Sequence, residues 1–206
     1  MRVLALILVA LAWPGAARAG EWRTYKQYDD GLTLERRAVR GSRFDELRIS
    51  KRMAIAPKDL ADSVWRLRNE GWEYRVHKKR ELLRDTPTDR LIYSQLLTPI
   101  VSDRDYTVRQ YRLSDPATGV FQILFEAAND QGPPPNDDHV RVEVIRGGWT
   151  FEPDGDGGTI VTYFFLNDPA GSLPAWIVRG EQRDSAITVF REQMTYAERD
   201  RTLAGH

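Results

Sequence analysis

Residues 147–194, GGWTFEPDGDGGTIVTYFFLNDPAGSLPAWIVRGEQRDSAITVFREQM, contain the pattern that decides the fold. The segment DGDGG at 154–158 predicts a tight turn, because glycine adopts positive φ freely and aspartate caps a turn with its side chain. Runs of β-branched and aromatic residues on either side predict two strands joined by this turn. The segment DPAGSLP at 168–174 then predicts a short loop that leads into one long helix. The stretch therefore predicts a β-hairpin followed by a C-terminal helix.

Further strand and helix patterns precede this hairpin. Two strands are predicted at 32–39 and 44–53, followed by a helix at 57–69 that Gly71 ends. The aromatic opening at 22–28 is interpreted as one or two helical turns. Six more strands are predicted at 75–84, 91–98, 105–113, 120–127, 140–151 and 159–167. Because short loops cannot join parallel neighbours, the predicted class is α+β, with an antiparallel sheet of about eight strands and two helices.

The first 19 residues have the composition of a secretion signal. Arg2 precedes an apolar run at 3–12, and small residues ending at Ala19 suit cleavage before the mature chain. A membrane-spanning anchor is the alternative, although the run is short for a bilayer crossing. We therefore expect an exported protein, periplasmic or extracellular after cleavage near Ala19, in which residues 20–206 form one domain.

The composition excludes several classes of function. The chain has no cysteine, so it has no disulfide, thiol nucleophile or thiolate metal site. Thirty basic residues match thirty acidic ones, and without Arg2 and Arg18 the balance is 28 against 30, a net charge of −2. This balance offers no basic excess for nucleic acid. Only three histidines and none of the common catalytic motifs are present, so we expect no metal site, no cofactor and no enzyme activity.

The long helix carries apolar residues along one broad face that should lie against the sheet. These residues are Trp176, Ile177, Gly180, Ile187, Phe190 and Met194. One interpretation is an ordinary two-layer core filled by aromatic side chains. The other is a ligand cavity, because a long curved sheet around one helix leaves space that small residues cannot fill.

Two motifs resemble the StAR-related lipid transfer (START) domain, and the likeness extends over residues 22–194. One is SDRDYTVR at 102–109, which resembles the family's Arg-Asp-aromatic segment with a second arginine. The other is GGW at 147–149 with DPAGSLP at 168–174, which resembles the family's Gly-x-Trp strand and the entry to its last helix. YSQ at 93–95 resembles the phosphatidylcholine-transfer branch. The resemblance implies a helix-grip fold, in which the sheet curls around the C-terminal helix and encloses one lipid.

The resemblance also implies a lipid site. It places Arg109 inside the cavity, paired with an acid or with the ligand; a salt bridge outside the cavity is the alternative. It implies a mouth between the start of the last helix and the loop at 97–103, whose consecutive apolar residues are typical of a contact surface. The predicted lipid-binding residues are Arg109, Tyr93, Gln95, Tyr111, Trp176, Ile177 and Gly180, and the predicted mouth residues are Pro99, Ile100, Val101 and Leu173.

The implied function is the binding of one phospholipid, sterol-like molecule or other amphiphile. A monomeric protein would transfer this lipid during transient contact with a membrane surface. One alternative is a cyclase- or aromatase-like enzyme, in which Arg109 and Tyr111 polarise a carbonyl group in the same cavity. Another is an envelope binding module that presents its surface to a protein partner.

Overall fold

The computed structural model describes residues 20–97, 102–171 and 174–205, and within them all side chains except those of residues 72–74. The strands are β1 (Arg23–Gln27), β2 (Thr33–Arg37), β3 (Glu46–Met53), β4 (His77–Asp85), β5 (Asp89–Leu96), β6 (Asp103–Asp115), β7 (Val120–Ala127), β8 (His139–Arg141), β9 (Val144–Pro153) and β10 (Thr159–Asp168). The helices are α1 (Pro57–Trp65), α2 (Gly71–Val76) and α3 (Ala175–Leu203). The predicted signal at 1–19 lies outside the described residues.

All the strands belong to one sheet with the order β1-β2-β3-β10-β9-β7-β6-β5-β4. Neighbours along this order pair antiparallel, and the short β8 pairs parallel with the first residues of β6. The predicted class is therefore confirmed: a curved antiparallel sheet faces a long C-terminal helix, with ten strands rather than eight. In the described residues, no helix is both long and apolar enough to cross a membrane.

The turn predicted at 154–158 joins β9 to β10. Asp154 Oδ1 accepts hydrogen bonds from the backbone N–H groups of Asp156 at 2.8 Å and Gly158 at 2.9 Å. Gly155 and Gly157 adopt φ values of 88° and 81°, a region that residues with a Cβ rarely enter. This turn fixes the register in which β9 pairs with β10.

The core lies between the sheet and α3. Ile49, Phe151 and Phe190 are completely buried, and full burial of each such side chain is worth about 1.5–3 kcal/mol. Trp149 stacks on Tyr163 with ring centroids 4.3 Å apart and on Phe190 with centroids 5.6 Å apart. The aromatic residues therefore join β9, β10 and α3 into one packed unit.

Three predicted boundaries are wrong. The opening residues form β1 rather than helical turns, because they pair with β2. Helix α1 ends at Trp65, and Gly71 begins α2 with a φ of 84°. This φ is one that residues with a Cβ rarely adopt, which explains the glycine, and a Cβ there would also lie 2.7 Å from Glu192 Oε2 of α3. The strand predicted at 140–151 is divided into β8 and β9, which pair with different neighbours.

Candidate functional site

A cavity of about 240 Å³ lies between the sheet and α3. Strands β4, β5, β6, β7, β9 and β10 all contribute side chains to it, and residues 66–70, which follow α1, form part of one side. The middle of α3 forms the opposite wall through Ser185, Ala186, Val189, Glu192, Gln193 and Tyr196.

Alternation along the strands decides which side chains face the cavity. On β5 and β6 the lining residues are Arg90, Ile92, Ser94, Leu96, Tyr106, Val108 and Gln110. Cross-strand pairing agrees with this set, because Arg90 lies opposite Gln110 and Ile92 lies opposite Val108. The residues between them therefore face the outer side of the sheet.

The part of the cavity formed by β7, β9 and β10 is mainly apolar and aromatic. Its lining residues include Ile123, Phe125, Ile145, Trp149, Tyr163 and Phe165. Gly147 lies in one cross-strand row with Phe125 and Phe165. A Cβ at Gly147 would lie 2.7 Å from Phe125 Cζ, so the missing side chain makes room for that ring.

The part formed by β4, β5 and β6 is polar and positively charged. Arg90 is only 4% exposed, and its guanidinium lies 3.8 Å from the ring centroid of Trp65. Its Nε lies 3.4 Å from Asp85 Oδ1, and the Asp85 side chain is 46% exposed. This Nε makes no hydrogen bond to any described residue. Burial lowers the pKa of Arg90; Asp85 opposes this effect, and the cations Arg112 and Arg80 add to it.

Three more arginines, Arg66, Arg68 and Arg80, line the same side of the cavity. Arg80 donates a hydrogen bond to the backbone carbonyl of Arg68, and no carboxylate among the described side chains pairs with Arg80. Arg68 donates to Asp200 Oδ2 at 2.6 Å, and Ser63 donates to the same oxygen at 2.7 Å. Burial opposes ionisation of Asp200, but these two hydrogen bonds and the charges of Arg68 and Arg66 together outweigh it and keep the pKa of Asp200 below its ordinary value.

Arg109 and Tyr111 lie on the outer side of the sheet, so the prediction that they line the cavity is wrong. Arg109 is exposed and donates to Asp89 Oδ2 at 2.5 Å, which is the salt bridge outside the cavity that was the alternative. The ring centroid of Tyr111 lies 5.4 Å from the same guanidinium. The reason is strand parity, because these two residues alternate with the inward-facing Val108 and Gln110.

Tyr93 and Gln95 also lie on the outer side, where they belong to a buried polar network. Gln95 donates to Tyr93 Oη at 2.9 Å, and the Tyr93 hydroxyl donates to Asp105 Oδ2 at 3.1 Å. Arg141 of β8 donates two hydrogen bonds of 2.8 Å to Asp105. Burial opposes ionisation of Asp105, but Arg141, with smaller contributions from Tyr93 and His139, outweighs it, and the pKa of Asp105 is lowered. This network holds β8 against the sheet, so the prediction that Tyr93 and Gln95 line the cavity is also wrong.

The first turns of α3 do not line the cavity. Trp176 is 75% exposed, Ile177 is exposed, and a Cβ built at Gly180 would meet no atom within 4 Å. The buried residue in this part of the helix is Val178, whereas Phe190 is buried as predicted. The predicted mouth residues Pro99, Ile100, Val101 and Leu173 lie outside the described residues.

Arg90, Arg80 and Gln110 line the cavity although the sequence patterns did not single them out. A weak signal for Arg90 was present, since it directly precedes the apolar run LIY at 91–93. Its contact with Trp65 joins residues 25 positions apart, and no local pattern predicts such a contact.

Comparison with known proteins adds a family to this geometry. The START domain model matches residues 16–200 of the chain. An uncharacterized protein of Pseudomonas aeruginosa is 26% identical over 205 residues, which cover 97% of this chain and 96% of that protein.

Two solved structures share the fold. A STAR-related lipid transfer protein from Xanthomonas axonopodis aligns with a TM-score of 0.70 and 24% identity, covering 86% of this chain and 98% of that one. Human StAR-related lipid transfer protein 5 aligns with a TM-score of 0.72 and 16% identity, covering 87% of this chain and 88% of that one. The family model extends from before β1 to the last turns of α3, and the chain belongs to the START domain family.

Proposed function

We propose that the protein binds one amphiphilic lipid in the cavity and carries it between membranes or to a partner, without catalysing a reaction. The observation that supports this most directly is the division of the cavity into an aromatic part, around Phe125 and Phe165, and a charged part around Arg90. An amphiphile likewise has an apolar chain, which matches the aromatic part, and a polar head, which matches the charged part. Membership of the START family and the names of the two solved relatives support the same function.

The aromatic part of the cavity suits an acyl or other hydrocarbon chain. Each methylene group removed from water is worth about 0.8 kcal/mol. A lipid chain held against Phe125, Trp149 and Phe165 is therefore kept out of water. The protein thereby lowers the free energy needed to move a single lipid through an aqueous compartment.

Uptake and release would take place at a membrane surface, near the start of α3. Leu97, the first residue of the predicted mouth loop, is exposed, and Trp176 is exposed shortly after residues 172–173. Large apolar side chains on both sides of one predicted mouth support transient insertion there into a bilayer. The signal predicted at 1–19 supports export to the periplasm or the exterior, and we propose that the exported protein acts as a monomer.

Two finer alternatives receive less support. The cyclase or aromatase alternative depended on Arg109 and Tyr111, which lie outside the cavity, so we do not propose it. The phosphatidylcholine-transfer branch depended on the segment YSQ at 93–95, in which Gln95 donates to Tyr93 and Tyr93 donates to Asp105 on the outer side of the sheet. Of these three residues only Ser94 lines the cavity, so a ligand would have no contact with Tyr93 or Gln95.

Native mass spectrometry of the full chain purified from its own host tests the proposal. We expect one bound lipid per protein molecule. The variant Val189→Trp, which places a large ring on the α3 wall of the cavity, should remove this lipid. The matched control Asp184→Trp, at an exposed position of the same helix, should retain it. Absence of lipid from the native protein, or its retention by folded Val189→Trp, would contradict binding in this cavity.

A further inference from the structure

We propose that the polar head of the ligand is an anion, a carboxylate or a phosphate, held by Arg90 and Arg80 at the β4–β5 side of the cavity. This inference rests on the proposed function, because it names the head group of the same ligand. The observation behind it is the buried guanidinium of Arg90 on the cavity wall, whose Nε has no hydrogen bond to a carboxylate among the described residues.

Arg90 has an unusual environment for a buried arginine. A guanidinium has five N–H donors in a rigid fork, and a buried charge is costly unless these donors are paired. In Arg90 the Nε has no hydrogen-bond partner among the described residues, and Asp85 approaches it only at 3.4 Å. The stacking partner Trp65 offsets part of the cost but accepts no conventional hydrogen bond.

Arg80 makes the same wall more positive. It lies on β4 opposite Ser94. On β5, Ser94 is the next inward-facing residue after Arg90 and Ile92. Its described hydrogen bond goes to the backbone carbonyl of Arg68 and leaves its charge without a carboxylate among the described side chains. Arg80 is close enough to Arg90 for its charge to act on that guanidinium, and arginine binds carboxylates and phosphates through paired N–H groups.

Among the described lining residues, β7, β9 and β10 contribute no cation, which gives the ligand a direction. The residues that face inward on β7, β9 and β10 are mostly aromatic or aliphatic, as in the row that contains Phe125 and Phe165. A ligand with its anion at Arg90 therefore directs its hydrocarbon chain toward β7, β9 and β10. The amide of Gln110 lies opposite Arg90 and the hydroxyl of Ser94 lies opposite Arg80, so both add neutral polar groups to the charged side of the cavity.

Three probes with the same chain separate the head group from the hydrocarbon. They are hexadecanoate, hexadecyl phosphate and hexadecanol, each delivered from cyclodextrin to the delipidated full chain and measured by equilibrium binding. Single-chain probes are chosen because the 240 Å³ cavity lies just below the range of about 300–1,000 Å³ found for drug-sized ligands. We expect the native protein to bind at least one of the two anions about tenfold or more tightly than hexadecanol. The better of the two anions identifies the head group as a carboxylate or a phosphate.

The variant Arg90→Gln assigns the preference to a residue. It keeps a polar side chain but removes the charge, so binding of the preferred anion should weaken about ten- to a hundredfold. Hexadecanol binding should stay within about twofold in the same variant, since the alcohol does not need the charge. The matched control Arg109→Gln removes an arginine from the outer side of the neighbouring strand, and it should change none of the three affinities. Arg80→Gln is the second variant, and it should show the same loss if Arg90→Gln does not fold.

The outcomes are distinguishable. If the native protein binds hexadecanol as tightly as both anions, the head-group inference is overturned and the proposed function stands. If anion preference survives in both folded Arg90→Gln and folded Arg80→Gln, the assignment to these arginines is overturned. If none of the three probes binds the native protein, the proposed function fails together with the inference.

Discussion

The guanidinium of Arg90 lies 3.8 Å from the ring centroid of Trp65, and this contact joins the end of α1 to the charged wall of the cavity. An aromatic face attracts a cation and also covers it from water. The contact with Trp65 therefore helps Arg90 to stay charged in the interior although the nearby carboxylate, Asp85, is exposed. Because Trp65 belongs to α1, the position of the cavity cation depends on how α1 packs as well as on β5.

Removal of this contact should show measurable coupling between the two residues. In a double-mutant cycle, Trp65→Leu and Arg90→Gln should couple by about 0.5–2 kcal/mol in the free energy of unfolding, measured in urea. Trp65→Leu combined with Arg109→Gln is the control cycle and should be additive within about 0.5 kcal/mol. A cycle with zero coupling between Trp65 and Arg90 would show that the stacking contributes no stability.

Loss of the Asp200 carboxylate should make stability less dependent on acid pH. The folded-state pKa of Asp200 is lowered, so its contribution is present above the unfolded value of about 3.9 and is lost as the pH falls through the folded pKa. Asp200→Asn should therefore cost about 1–3 kcal/mol at neutral pH, and the difference from the native protein should disappear in strong acid. Urea unfolding across this pH range measures both. Asp184→Asn on the exposed side of α3 is the control, and an equal loss there would argue against a specific role for Asp200.

Tyr93 should matter for stability and not for ligand binding. Tyr93→Phe removes the hydroxyl that donates to the buried carboxylate of Asp105, which should cost about 1–3 kcal/mol in urea unfolding. Hexadecanoate binding should be unchanged, because Tyr93 faces away from the cavity. A folded Tyr93→Phe protein that loses binding would restore Tyr93 to the site and contradict the placement described above.

Two glycines should respond oppositely to the same substitution. At Gly147 an added Cβ would collide with the backbone carbonyl of Phe164 and with Phe125 Cζ at 2.7 Å, so Gly147→Ala should destabilise by about 1–3 kcal/mol. At Gly180, inside α3, an added Cβ meets nothing within 4 Å, and Gly180→Ala should stabilise by about 0.5–1 kcal/mol. Thermal unfolding measures both variants. A stabilised Gly147→Ala protein would mean that Phe125 has free space to move.

Trp176 should contribute to membrane contact but little to the fold. Because it is 75% exposed, Trp176→Ala should change the free energy of unfolding by less than about 0.5 kcal/mol. The same variant should reduce binding to phospholipid vesicles in sedimentation. Leu203→Ala at the other end of α3, where the side chain is 80% exposed, is the matched control and should leave vesicle binding unchanged. Equal loss in both variants would indicate nonspecific adhesion of the helix.

The hairpin and the last helix could be predicted because their signals are local. The turn at 154–158 has glycine and aspartate at the positions that its hydrogen bonds require, and the register of β9 with β10 follows from it. The buried part of α3 around Phe190 follows from helical spacing alone. Features of this kind depend on residues that are close in the chain.

The facing of β5 and β6 could not be predicted because neither side of these strands is cleanly apolar. Thr107 and Asp105 are buried on the outer side, where β8 and the segment before it cover the sheet. A Cβ at Gly132 in that segment would lie 2.8 Å from Thr107 Cβ, which shows how closely the cover approaches. Side chains alternate along a strand, so an error of one residue exchanges the two faces of the sheet. The segment that covers the outer face, which is distant in sequence, therefore decides whether Arg90 or Arg109 faces the cavity.

The contacts of Asp200 have a mechanical consequence for α3. They attach the C-terminal part of the helix to Ser63 and Arg68 near α1, whereas the hydrogen bonds of Arg179 and Arg183 near the other end are exposed. Trp176 lies about 36 Å along the helix axis from Asp200, at a rise of about 1.5 Å per residue. A rigid tilt of about 10° around the attached end would move Trp176 by roughly 6 Å while the helix near Asp200 stays in place. In such a tilt Asp200 would be the fixed point of the lever and Trp176 the residue that moves furthest.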